Sequence, residues 1–310
     1  MKGVSCVLYG VVDVGSNTIK LVIYRVANGK IRSVLSQKYV AGLAGYVTDQ
    51  GSLSNEGVAA AVAALSDIKN IAEQIGLREL FPFATASLRN IINQAEVLRE
   101  IEKTCGLQIR VLNGEEEGRY DYYGAVQTMK SESGILVDVG GGSTEVVRYH
   151  HKKIEHAVSI PIGSLNLYNR FVGDILPSGE EIKSLQREVG KEISAVLPKN
   201  TGRVKTLCAV GGTARSLCKL ARKAYGQKEL DVYPAEYLQK ILFLAENSRK
   251  KLTSGILKVS PDRIHTLLPG TVVINTVAQL YGSREIVTVP YGVREGYLYS
   301  VLEKRGLLYE

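Results

Sequence analysis

The first apolar run, Val7 to Val14, is nearly unbroken and rich in β-branched residues, and a second resumes with Ile19, Leu21 and Ile23 on one face. Patterns of this kind predict strands, so 7–14 and 19–26 read as a hairpin, and Ile31 to Val40, beyond the Asn28-Gly29 turn, reads as a third strand. After a glycine-containing loop from Gly42 to Gly51, Ser54 stands as N-cap to a long amphipathic helix that stops at Gly76. Leu80 to Ala84 predicts a short strand delivering Thr85-Ala86-Ser87-Leu88-Arg89 to a loop, with a helix through Asn93 to Lys103. Gln108 to Leu112 reads as a strand. The next helix, through Ala125, opens on Glu115-Glu116-Glu117, where acidic residues complement the macrodipole.

The pattern then restarts. Strands are expected at Ile135 to Val139, Glu145 to Tyr149 and Ile154 to Ile160, then helices near Leu165 and from Glu180 to Leu197. Val204 to Val210 predicts a strand running into Gly211-Gly212-Thr213 and a helix. Pro234 is expected to start another helix, Asp262 to Tyr281 to be mostly helical after a break at Pro269-Gly270, Ile286 to Val289 to be the last strand, and Gly292 to Glu303 the closing helix. The polar stretch Ser131 to Gly134 separates the halves, which gives domains of 1–128 and 129–310, with the closing helix free to pack back on the first. The class is α/β.

What recurs most clearly is a turn. Asp13-Val14-Gly15-Ser16-Asn17-Thr18 is echoed by Asp138-Val139-Gly140-Gly141-Gly142-Ser143-Thr144-Glu145, each copy between apolar runs. The copies lie too far apart for a solenoid, whose period is roughly 20–50 residues, and are consistent with tandem related domains. A carboxylate at a strand end, followed by glycines and small hydroxyl residues, sets a cation-binding oxygen beside backbone N–H groups that form an anion-binding concavity. Three successive glycines cost backbone entropy and let a phosphate approach closely. No Gly-Lys-Ser/Thr ends the turn and a strand follows it, so it is not a Walker loop. Asp138 is the expected Mg²⁺ ligand, directly or through water, since hard cations take oxygen donors. Ser16 and Asn17 offer donors to the other end of the same phosphate chain.

Gly211-Gly212-Thr213 is a third such turn, and a helix start favours an anion. Its helix carries Arg215, Lys219, Arg222 and Lys223 on one side, which reads equally as a basic stripe or a solvated face. The Glu115-Glu116-Glu117 run reads either as electrostatic capping or as the source of a carboxylate that takes a proton from water. Arg89 can bridge phosphate oxygens bidentately or form a structural ion pair.

Composition narrows the picture. The net charge of +8 suits polyanionic partners or solubility. Four cysteines, Cys6, Cys105, Cys208 and Cys218, show no metal-ligand spacing and read as buried thiols. His150, His151 and His156 read as surface residues. Seventeen dispersed tyrosines and no tryptophan form no stacking platform, so no nucleic-acid partner is expected. No run reaches the roughly 18 apolar residues of a membrane span, and the N-terminal run lacks a cleavage signature. No membrane partner and a cytoplasmic location are expected.

With these motifs in place the chain resembles the exopolyphosphatase and guanosine pentaphosphate phosphohydrolase (Ppx/GppA) family, within the actin, hexokinase and Hsp70-like (ribonuclease H-like) folds. The likeness rests on Asp13 to Asn17, Ala84 to Arg89 with Asn93, Gly114 to Arg119, Asp138 to Glu145, Gly211-Gly212-Thr213 and Gly292-Val293-Arg294-Glu295-Gly296. It implies two actin-like domains flanking a cleft, in a short form without the C-terminal helical domain of longer relatives. It also implies Glu117 as the base that activates water, Asp138 and Glu145 as organisers of Mg²⁺ and the attacking water, and Arg89 as a grip on phosphate. Asp13, Gly15, Ser16, Asn17, Gly140, Gly141, Gly142, Ser143, Gly211, Gly212 and Thr213 would line the phosphate path. Two positions depart from the family: Gly118 follows the catalytic glutamate where alanine is common, and Ala209-Val210 lacks the hydroxyl residue that often precedes the third turn. The implied substrate is polyphosphate or guanosine pentaphosphate, and a homodimer is possible. A kinase of the same fold group and a non-catalytic alarmone or polyphosphate sensor are the alternatives.

Overall fold

The computed structural model describes residues 7–197 and 202–309. Cys6 lies outside them. Two compact units emerge: Met1–Tyr123 together with Val293–Glu310, and Gly124–Gly292. The expected division at 128/129 thus falls just beyond the break between the units, and the closing helix groups with the first.

In the first unit, β1 (Val7–Val14), β2 (Ile19–Ala27) and β3 (Lys30–Tyr39) form an antiparallel meander. After a short 3-10 turn at Leu43–Tyr46 comes α1 (Asn55–Ile75), then β4 (Glu79–Ala84), α2 (Ala86–Arg89), α3 (Gln94–Cys105), β5 (Arg110–Val111) and α4 (Gly114–Ala125). β4 pairs parallel with β1 and β5 with β4, giving the order β3-β2-β1-β4-β5. β1 is apolar on both faces because it is central, whereas β3, rich in charge, is an exposed edge. α1 begins where the Ser54 hydroxyl accepts from the Gly57 N–H and ends where Gly76, in the left-handed region, donates to Ala72 and Glu73. Its Ala61, Ala64, Leu65 and Ile68 join the core with Val12, Val14 and Leu21.

The second unit repeats this plan. β6 (Gly134–Val139), β7 (Thr144–His150) and β8 (Lys153–Ile160) form the meander, followed by α5 (Ser164–Phe171), α6 (Gly179–Val196), β9 (Thr206–Val210), α7 (Gly211–Tyr225), β10 (Val232–Pro234), α8 (Glu236–Asn247), α9 (Arg249–Val259), α10 (Leu267–Leu280) and β11 (Glu285–Thr288). The order is β8-β7-β6-β9-β11-β10, with β9 parallel to both β6 and β11. Helix α11 (Val293–Lys304) returns to the first unit.

Four local readings need correction. Pro234 does not start a helix: it ends β10, paired with Glu285, in an edge strand where a missing N–H is tolerated. Thr85 to Arg89 is not a plain loop: Ala86–Arg89 forms the short helix α2, with the Arg89 N–H donating to the Thr85 carbonyl at 2.9 Å. Pro269-Gly270 does not break α10: Pro269 lies in its first turn, where a missing N–H costs no helical bond, and the Gly270 N–H donates to the Thr266 carbonyl at 3.1 Å. The helix expected through Asn93 is interrupted there, because the Asn93 side chain pairs with both backbone groups of Leu53, at 2.9 and 3.0 Å.

Candidate functional site

The two turns are built alike down to single hydrogen bonds. The Gly15 N–H donates to the Thr18 carbonyl at 3.0 Å, and the Gly140 N–H to the Ser143 carbonyl at 3.0 Å. In the first, the carbonyls of Ser16 and Asn17 accept from the N–H groups of Ala44 and Gly42. In the second, the start of α5 does the same work: Ser164 donates to Gly140, and Leu165 and Asn166 donate to Gly141. With their carbonyls so occupied, the N–H groups of Ser16 and Asn17, and of Gly141 and Gly142, have no hydrogen-bond partner among the described residues. Each turn is therefore held from behind and leaves backbone N–H groups available, an arrangement that can form an anion-binding concavity. A hydroxyl from the segment after the fourth strand braces each: Ser87 donates to the Val14 carbonyl and Thr213 to the Val139 carbonyl.

Their charges differ. Asp13 stands across from Lys20 in the β1–β2 register, while Asp138 stands across from Glu145 in β6–β7. Directly opposed residues of an antiparallel pair lie on one face, and like charges there are destabilising. Asp13 is further met by Arg294 of α11, whose Nη1 donates to Oδ2 at 2.8 Å. Glu145 is buried and accepts from the Ser159 hydroxyl at 2.7 Å. The Asp138–Glu145 pair suits a divalent cation. No group of three or more acidic, histidine or cysteine side chains able to hold a metal occurs among the described residues, so an ion here would draw its remaining ligands from water and phosphate.

The third turn opens α7 without a side-chain cap. Gly211 has φ +80°, and a Cβ there would sit 2.0 Å from Asp138 Oδ1. A Cβ on Gly212 would meet the Arg263 guanidinium and force that side chain to move. Gly211, Gly212, Thr213 and Asp138 thus come together. The basic stripe on α7 is partly structural, since Arg222 pairs with Asp231 at 2.6 Å and Lys219 reaches the Val259 carbonyl.

In the first unit Arg89 and Glu117 meet. Arg89 Nη1 lies 2.7 Å from Glu117 Oε2 and 3.1 Å from the Leu112 carbonyl. The rest of the acidic run separates by role: Glu116 caps the helix by accepting from the Asn113 N–H and pairs with Arg110, and Glu115 pairs with Arg119 on the surface. Only Glu117 of the three is buried. His150, His151 and His156 are exposed, and Cys105, Cys208 and Cys218 are buried free thiols.

Sequence reasoning assigned no role to Arg294, Arg263, Ser159 or Gly163. Arg294 sits in a quoted motif, but a lone arginine does not reveal a partner at the far end of the chain. A Cβ on Gly163 would overlap the backbone of Gly141 and Gly142. Its signal was a glycine just after the third strand.

Two such sheets, each with its turn after the first strand, define the actin-like ATPase fold. Solved structures share it: an Aquifex aeolicus Ppx/GppA protein has a TM-score of 0.77 at 25% identity, covering 97% of this chain and 99% of that one. An exopolyphosphatase from Cytophaga hutchinsonii has a TM-score of 0.81 at 21% identity, covering 96% and 98%. Residues 22–305 match the Ppx/GppA phosphatase family, and the chain belongs to it. Among curated relatives, exopolyphosphatase 1 of Mycobacterium tuberculosis is 25% identical over 95% of this chain and 88% of its own length. An uncharacterised protein of Streptomyces coelicolor is 29% identical over 94% and 90%. By class the protein is a hydrolase. No helix among the described residues is long and apolar enough to cross a membrane.

Proposed function

We propose that the protein releases the terminal phosphate of inorganic polyphosphate, or of the 5′-triphosphate of guanosine pentaphosphate. The observation that carries this reading is the twinned turn, whose open N–H groups at Ser16, Asn17, Gly141 and Gly142 match an anion with many equivalent oxygens. Gly15, Gly140 and Ser143 shape the turns, and Gly211, Gly212 and Thr213 add a helix start. Arg89 is suited to both a phosphate oxygen and Glu117.

In the proposed reaction Glu117 takes a proton from water as the water oxygen bonds to the terminal phosphorus. The bridging P–O bond breaks, and its electron pair leaves on the shortened chain. Fixed N–H groups offset charge on the equatorial oxygens, as phosphoryl transfer demands of a protein. Asp138 and Glu145 would hold Mg²⁺, which supplies Lewis-acid neutralisation of the phosphate oxygens when bound. The opposed carboxylates support that assignment, because they set two oxygen donors on one face of the β6–β7 ladder, the ligand type a hard cation prefers.

The test is a phosphate-release panel in Mg²⁺ with long polyphosphate, short polyphosphate, guanosine pentaphosphate and ATP, and no acceptor. Release from polyphosphate or guanosine pentaphosphate is expected. Tight binding without release favours a sensor, and turnover only with ATP and an acceptor hydroxyl favours a kinase; either result overturns the reading.

A further inference from the structure

Helix α11 comes from the end of the chain and touches all three strands of the first meander. Arg294 reaches Asp13 on β1, Glu295 accepts from the Tyr24 hydroxyl on β2 at 2.5 Å, and the Tyr299 hydroxyl accepts from the Ile31 N–H on β3 at 3.3 Å. The last two contacts join the helix to β2 and β3 without involving Asp13. Arg294 is different, because it is directed at the carboxylate that enters the first phosphate turn. Its Nε–H is buried without a hydrogen-bond partner, so the guanidinium is aimed at Asp13 at the expense of its own donors. Burial alone would lower its pKa. The charges of Asp13 and Glu295 outweigh that and hold it above the ordinary arginine value.

We propose that Arg294 is a positioning and charge-balancing residue for the first turn: it neutralises Asp13 so that the neighbouring N–H groups of Ser16 and Asn17 accept a phosphate anion. An ionised carboxylate left bare at the mouth of that concavity would oppose the anion through a partly buried, poorly screened interaction. The two turns then solve one problem in two ways, with a guanidinium supplied by the protein at Asp13 and a cation suited to Asp138 and Glu145. This rests on the reading that the turns bind phosphate.

The experiment compares Arg294→Met, Arg294→Lys, Asp13→Asn and Asp13→Asn/Arg294→Met. It measures KM and kcat for polyphosphate and, independently of turnover, the calorimetric affinity for tripolyphosphate. Arg294→Met is expected to raise KM and weaken tripolyphosphate binding about tenfold or more with a smaller change in kcat, and Arg294→Lys to recover part of the loss. The double variant, with no bare charge, is expected to bind tripolyphosphate more tightly than Arg294→Met does, recovering part of the lost affinity. A role confined to docking α11 predicts instead that the double variant is at least as impaired as Arg294→Met, and that outcome overturns the proposal, as does unchanged binding in Arg294→Met. Should Arg294→Met not fold, Arg294→Gln against its Asp13→Asn double makes the same comparison. Wild-type protein that binds tripolyphosphate but releases no phosphate would sink the hydrolase reading and leave this one standing.

Discussion

Arg89 Nη1 holds Glu117 Oε2 at 2.7 Å while also contacting the Leu112 carbonyl, so the one buried glutamate of an acidic run is fixed by a side chain from a separate element, α2. Glu117→Gln keeps the shape and an oxygen for Arg89 but removes the proton acceptor. Phosphate release is expected to fall about 10²–10⁴-fold, the usual contribution of a general base. Tripolyphosphate affinity and the urea midpoint should stay near wild type. Turnover close to wild type would exclude Glu117 as the base.

Gly163 offers a test of the second turn that touches no charged group. A Cβ there would lie 2.2 Å from the Gly141 carbonyl oxygen and 2.4 Å from the Gly142 nitrogen, and backbone cannot step aside as a side-chain tip can. Gly163→Ala is expected to cost about 1–3 kcal/mol, as overpacking does, and to reduce phosphate release more than its loss of stability explains. Urea melts alongside initial rates measure the two effects. Wild-type activity in a destabilised variant would show that the turn's position does not matter.

The opposed carboxylates make a further prediction. If Asp138 and Glu145 share Mg²⁺, phosphate release is lost in EDTA and restored by Mg²⁺, and Glu145→Gln raises the Mg²⁺ concentration needed for half-maximal rate. Glu145 is buried with Ser159 as donor, so Ser159→Ala is expected to shift Mg²⁺ dependence in the same direction, by a smaller factor. An unchanged Mg²⁺ profile in Glu145→Gln would remove that carboxylate from the metal assignment.

Much of this was legible because local chemistry set it. Ser54 and Gly76 bracket α1, and the two Asp-to-turn strings announced their strands. The region after Tyr225 was read poorly. There, proline position depends on strand pairing: Pro234 looks like a helix start until β11 is known to lie beside it. At the site, turn residues were visible because glycine is needed where backbone must approach a ligand. Arg294, Arg263 and Ser159 were not, since their meaning lies in partners supplied by the fold: Asp13 from the far end of the chain, Gly212 from another element and Glu145 from the next strand. Local pattern carries no information about such pairings.

Buried acids that stay neutral predict how the fold fails at high pH. Burial pushes the Cys208 thiol up to about 11, with the Tyr149 hydroxyl lowering it in part and Glu285 raising it, and burial pushes Tyr237 up to about 12, with Tyr225 adding to it. In the unfolded chain these groups ionise near 9 and 10, the ordinary values for thiol and phenol. Between the ordinary and the raised values the unfolded chain sheds protons that the folded one keeps, so stability is fully present below about pH 9 and declines as pH rises toward 11 and 12. Urea melts at pH 7, 9, 10 and 11 should show a midpoint that falls progressively above pH 9. Because the thiolate is the reactive form, iodoacetamide at pH 8 should leave Cys208 unmodified in the native protein and label it in denaturant. Rapid native labelling of Cys208, read by peptide mass, would mean that β9 opens far more readily than its burial implies.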